Sequence, residues 1–213
     1  MFAPSSKQHT GFTLVEIIVS LAIFSIVAVI AVGALVRIIG ANKKAQSIQD
    51  AVNSLNFALE SMSREIRTGT DIHCDNSSGV GLTSFSTSPA ACVNGRLVAF
   101  YSPVPLNDSG GVFQCYPVHA YRFYTPPGST VVTLQKAVQT CNPNPVPLLD
   151  TDFHDLVPTS NVALTDYFLG MQYDAAHPFA LVTIRLVGQA GISNKSQTNF
   201  DIQTSVSARA QYP

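Results

Sequence analysis

The sequence predicts an α+β protein in which one long N-terminal α-helix, apolar in its first half and amphipathic in its second, packs on an antiparallel β-sheet. Three observations carry that expectation. Residues 11–36, GFTLVEIIVSLAIFSIVAVIAVGALV, form a nearly unbroken apolar run with a single carboxylate, Glu16. From Ile48 onward, Ile48, Val52, Leu55, Leu59, Met62 and Ile66 recur at alternating spacings of four and three, which draws one stripe along a helix. Beyond residue 70 the chain turns to Ser, Thr, Asn, Pro and Gly with interspersed Tyr and Phe, the texture of short strands and turns.

Length and charge bound the rest. The 213 residues fit one membrane element and one domain large enough for its own core. Lys and Arg (12) nearly balance Asp and Glu (13), and no basic stripe with interleaved aromatics occurs, so nothing directs the chain to nucleic acid.

Residues 1–11, MFAPSSKQHTG, are short and polar, with Lys7 as the cationic side chain, and read as a leader to be removed. Residues 12–36 then supply a transmembrane helix. Its uncharged part, residues 17–36, meets the roughly 20 residues that a helix needs to cross a bilayer. Glu16 stands out, because an ionisable group in a span is costly and marks a functional site with a partner. A secretory signal ending at Ala31-Val32-Gly33 is the rival, but the run exceeds the usual apolar region of roughly 7–15 residues and Glu16 goes unexplained.

Residues 37–69 read as the amphipathic continuation of the same helix, their stripe serving core packing. Arg64 and Arg67 suit its carbonyl end, and Gly69 follows as a C′ residue. A helix from Phe12 to Thr68 spans about 85 Å at 1.5 Å per residue, with Gly33 and Gly40 as places where it can bend or open.

Residues 70–213 form the β-rich domain. A loop over 70–95 holds Cys74 and Cys92, and a first strand lies at 96–102. Runs at 118–124 and 130–138 flank Thr125-Pro126-Pro127-Gly128-Ser129, a hairpin signature. Cys115 and Cys141 are equidistant from its centre, so that register brings them face to face at disulfide distance. Cys74–Cys92 follows by elimination, and four cysteines downstream of a span suit an oxidising compartment. A loop over 141–158 carries Pro143, Pro145, Pro147 and Pro158. Strands follow at 162–173, with a break at Gly170, at 179–187 and at 200–209, where Phe200, Ile202, Thr204, Val206 and Ala208 alternate as a half-buried strand does.

Catalytic signatures are missing: there is no phosphate-cradling Gly loop, no GxSxG and no HExxH. His73, His119, His154 and His177 lack ligand spacing, and His73 beside Cys74 has no second ligand at zinc-knuckle distance. Asp150, Asp152 and Asp155, with His154 among them, are a candidate for a hard cation. They lack the Gly and distal Glu of an EF-hand and read as a solvated acidic loop. Neither catalysis nor a cofactor or metal is expected.

Gly11-Phe12-Thr13-Leu14-Val15-Glu16 at the head of an apolar helix resembles the processing site of type IV pilins and type II secretion pseudopilins. The resemblance implies the pilin architecture and cleavage after Gly11 by a membrane-embedded prepilin peptidase. That enzyme, using its own S-adenosylmethionine, then N-methylates Phe12. Glu16 would pair with the freed Phe12 ammonium, within one helix or in a neighbouring subunit, which keeps a carboxylate ionised in low dielectric. The implied partners are other pilin or pseudopilin subunits, the inner-membrane assembly machinery and membrane lipid. The implied location is the inner membrane, single-pass with the domain extracytoplasmic, and then the pilus or pseudopilus. Arg37, Lys43 and Lys44 against Lys7 point the other way by the positive-inside rule; the resemblance and the cysteines outweigh that small difference. Size and the early cysteine pair resemble minor pilins and J-type pseudopilins. The mid-span Pro of many such families is missing, and Gly33 lies in that region. The reading from another class is a secreted or membrane-anchored ligand binder or enzyme, with residues 12–36 as signal or anchor alone.

Overall fold

A computed structural model describes residues 11–81, 91–107, 114–139, 141, 142, 144–160, 162–174, 179–191 and 197–209. It divides into two units, Met1–Ala45 and Gln46–Pro213. One helix, α1 (Leu14–Thr68), belongs in part to each and runs unbroken through Gly33 and Gly40. The helix stays continuous at both glycines, since a helical Gly costs only about 1 kcal/mol relative to Ala.

In the second unit the helix buries Ser47, Ala51, Leu55, Ala58, Leu59, Met62 and Ile66. The expected stripe is therefore shifted slightly towards Ala51 and Ala58, with Ile48 and Val52 left half-buried. Ala51 and Ala58 are both fully buried on this face. Gly69 ends the helix, its N–H donating to Glu65 O at 2.8 Å. It follows the last helical residue, as expected of a C′ glycine, but without a positive φ. Glycine is required there because a Cβ would overlap the Phe100 ring.

Two antiparallel sheets receive the helix, where the sequence predicted one. The first has the order β1-β2-β5-β6-β9, from β1 (Thr70–Asp75), β2 (Leu97–Tyr101), β5 (Val118–Tyr124), β6 (Thr133–Val138) and β9 (His154–Asp155). The second is the meander β10 (Val162–Asp174), β11 (Phe179–Ala190) and β12 (Thr198–Arg209). Short pairs β3–β4 (Leu106–Asn107, Gln114–Cys115) and β7–β8 (Cys141–Asn142, Asn144–Pro145) stand apart. Bridges Cys92↔Met171 and Val132↔Leu164 stitch the two large sheets.

The hairpin expected around Gly128 is present, with Val118–Tyr124 as its first strand. Ser129 N–H donates to Pro126 O at 3.0 Å and Gly128 has φ 79°, the Pro–Gly pattern of a type II turn. The second strand starts at Thr133 because Val132 is taken by Leu164 of β10.

Three loop or break assignments are corrected. Residues 70–75, expected as loop, are strand β1; a register shift between Thr70 and His73, with Asp71 at φ 51°, hides the two-residue alternation. The region 141–158 holds β7, β8, a 3-10 turn (Asp150–Asp152) and β9, which pairs with β6 through Gln135↔Asp155 and Lys136↔His154. Strand β10 does not break at Gly170; a Cβ there would press on the outward-lying Phe168 ring. One face of the first sheet packs on α1 through Val98, Phe100, Tyr121, Phe123 and Leu134. Its other face buries Leu97, Ala99, Val118, Ala120 and Ala137 under Leu148 and Phe153 of the supposed loop. A sheet covered on both sides reads as continuous apolar residues.

Candidate functional site

The candidate site begins where the helix does. Thr13 is the N-cap of α1: its Oγ1 accepts the Glu16 backbone N–H at 3.3 Å, and its carbonyl accepts Ile17 N–H at 3.3 Å. Thr13 and Glu16 stand at capping-box spacing, so the helix starts at Leu14 and not at Phe12, as the apolar run alone suggested. This capping role was missed in the sequence, although Thr three residues before Glu is its signal.

Around Gly11 a Cβ would meet nothing within 4 Å. Among the described residues no packing asks for glycine there; a requirement for it would come from whatever binds this segment. Phe12 is 78% exposed and Glu16 is exposed, and no ion pair among the described residues involves Glu16. With Phe12 still joined to Gly11, the ammonium expected to face that carboxylate does not exist. Along residues 14–39 the large apolar side chains, from Leu14 to Ile39, are uncovered on all sides. Among the described residues, α1 is the helix long and apolar enough to cross a membrane.

The other expected sites resolve differently. Cys74 and Cys92 form a disulfide with Cα atoms 5.5 Å apart. Cys115 is itself disulfide-bonded; the Cys141 side chain lies outside the described residues. The three aspartates do not converge, and among the described residues no group of three or more His, Cys, Asp or Glu is placed to hold a metal ion. Asp150 Oδ1 accepts from Arg122 Nη2 at 2.7 Å, Asp152 Oδ2 from Leu149 N–H at 2.8 Å, and Asp155 Oδ1 from Gln135 Nε2 at 2.9 Å. The loop is thus clipped to the sheet, not merely solvated. Arg122, buried, also reaches Gln135 Oε1 (2.7 Å) and Ser78 O (3.1 Å) and lies 3.7 Å over Phe153. His73 Nε2 lies 3.4 Å from Asp75, His154 is exposed on β9, and His177 lies outside the described residues.

A titratable cluster missed in the sequence joins helix to sheet. The Glu65 carboxylate receives Lys136 Nζ at 2.5 Å and Tyr121 OH at 2.7 Å, with His119 Nδ1 at 2.8 Å. Burial pushes its pKa up, but the bonds from His119, Lys136 and Tyr121 prevail and hold it down at about 2. Burial, then the Glu65 carboxylate, push the Tyr121 hydroxyl well up. The partners come from β5 and β6, so no sequence spacing announced them. Both oxygens of the Glu65 carboxylate are engaged, Oε1 by Lys136 and Oε2 by Tyr121 and His119, as in a structural tie.

Residues 6–32 match the family model described as the prokaryotic N-terminal methylation motif. No curated protein and no solved structure matches the chain.

Proposed function

We propose that the protein is a structural subunit, a minor pilin or pseudopilin. Prepilin peptidase cleaves it after Gly11 and N-methylates Phe12, and it assembles through residues 12–36 into a type IV pilus or a type II secretion pseudopilus. The carrying observation is the matched methylation motif lying at the head of an uncovered apolar helix. It is supported by Gly11, where among the described residues nothing lies within 4 Å of a built Cβ, so none of them crowds the cleaved bond. Thr13 then caps the helix immediately behind the new terminus, which keeps the freed ammonium of Phe12 near the Glu16 carboxylate. In low dielectric that pair satisfies two charges that are costly apart, and made between subunits it gives register to otherwise featureless apolar helices. The leader and the domain would lie on opposite sides of the inner membrane, with the domain extracytoplasmic, where Cys115–Cys141 completes the disulfides. The β-rich domain is what the helix carries into the fibre.

N-terminal sequencing of the mature protein, expressed with a prepilin peptidase, tests this. Methyl-Phe12 as the first residue is expected; a start at Ala34 or an intact Met1 would overturn the proposal. Glu16→Ala is expected to be cleaved but to lose co-assembly with partner subunits, and normal co-assembly would refute the charge pairing.

A further inference from the structure

The segment between the two sheets contains Asn94-Gly95. This dipeptide is chemically labile in any chain that lets the glycine nitrogen reach the asparagine side chain, because glycine offers no Cβ to hinder the approach. Here the segment is held at Cys92, Gly95 and Arg96. Cys92 exchanges backbone bonds with Met171 at 3.1 and 2.9 Å, Gly95 N–H donates to Leu169 O at 2.8 Å, and Arg96 N–H donates to Asp75 O at 2.8 Å. The Cys74–Cys92 disulfide lies directly against Gly95, where a Cβ would sit 2.6 Å from Cys74 Sγ and 2.5 Å from Cys92 Sγ. Asn94 itself is exposed and held at φ 57°. The amide that water can reach is therefore next to a nitrogen whose N–H is already engaged by Leu169 O.

We propose that Asn94 is a latent deamidation site whose latch is the Cys74–Cys92 disulfide. In the oxidised chain the Gly95 nitrogen is committed to Leu169 and cannot turn towards Asn94. In the reduced chain the segment opens locally. The Gly95 nitrogen loses its proton and bonds to Asn94 Cγ, the Cγ–Nδ2 bond breaks, and ammonia leaves. Water then opens the resulting succinimide at either carbonyl, leaving aspartate or isoaspartate and one added negative charge. No oxidant or enzyme is required, and the only co-reactants are water and the thiol that reduces the disulfide. The modification would record time spent without the disulfide, and isoaspartate would prevent the segment from returning to its original backbone path.

The test uses the full chain in detergent micelles at mildly alkaline pH, with and without a thiol reductant. Isoaspartate and aspartate at position 94 are measured by peptide mass spectrometry, and amide exchange is followed at Val182 and Ile184 of the buried β11. Conversion is expected to be about tenfold faster in the reduced chain, the effect of roughly 1.4 kcal/mol of opening free energy, while Val182 and Ile184 stay protected. The double variant Cys74→Ser, Cys92→Ser is expected to convert at the reduced rate without any reductant. Equal rates in oxidised and reduced chains would overturn the proposal. So would a rise that appears only together with lost protection of β11, because the site would then open with the whole fold and not through its own latch.

Discussion

Within one continuous helix, residues 14–45 and 46–68 obey different solvents. The first stretch has large apolar side chains all around its circumference and covers none of them; the second confines them to one stripe and buries Leu55, Leu59, Met62 and Ile66. A helix apolar on every side has no stable place in water, whereas a striped one needs only a sheet. The contrast teaches that helix formation here is common to both stretches, while tertiary stability comes from the second alone.

Paired substitutions break that contrast most sharply. Leu55→Ala removes a fully buried side chain and is expected to destabilise the second unit by about 3 kcal/mol. Ile23→Ala, at a position 59% exposed, is expected to stay within about 0.5 kcal/mol. Denaturant unfolding of both variants in the same detergent measures the difference, and similar losses would mean that the first stretch packs on the domain. Next in size is the disulfide. Cys74 and Cys92, 18 residues apart, close a loop worth about 3 kcal/mol in chain-entropy terms. Loss of the bond should lower the melting temperature of the second unit while leaving the helicity of residues 14–45, read by circular dichroism in micelles, unchanged.

How far the sequence foretold this division can be said residue by residue. The apolar run and the stripe were legible, the first by its length without a charge and the second because a helix writes its buried face at a fixed period. The hairpin at Gly128 was legible because Pro and Gly prescribe its turn. Strand β1 was not, because the bulge at Asp71 breaks its period, and β9 was not, because two exposed residues pairing at a sheet edge leave no pattern. The Glu65 cluster draws on side chains from α1, β5 and β6, and only the fold brings them within hydrogen-bond reach.

The Glu65 tie sharpens the comparison further, since it fastens the second stretch by charge as well as by burial. Its carboxyl is lowered from 4.5 to about 2, so its contribution is fully present above the ordinary glutamate range and is lost as pH falls towards about 2. Glu65→Gln should therefore cost about 2 kcal/mol at neutral pH and almost nothing near the acid end. Unfolding curves of both proteins across that range check the sign, and a gap that widens on acidification would contradict it. The smallest expected effect lies at the other end of the helix. Thr13→Ala removes the N-cap and should cost about 1 kcal/mol at the first turn, with Thr13→Ser restoring it. Amide exchange at residues 14–17 in micelles reads this, and unchanged exchange in Thr13→Ala would show that the cap does not hold the helix start.

The buried stripe of α1 shares its core with Val206 and Ala208 of the last strand. A ribosome adding roughly 5–20 residues per second needs on the order of ten seconds to pass from one to the other. Throughout that interval Leu55, Met62 and Ile66 exist without their final cover, beside a run whose large apolar side chains are themselves uncovered. The nascent chain thus offers two apolar surfaces at once, of which only the first should be taken up by lipid. The charged and polar residues interleaved along the second, Asp50, Glu60, Arg64, Glu65 and Arg67 among them, raise the cost of its insertion while it waits.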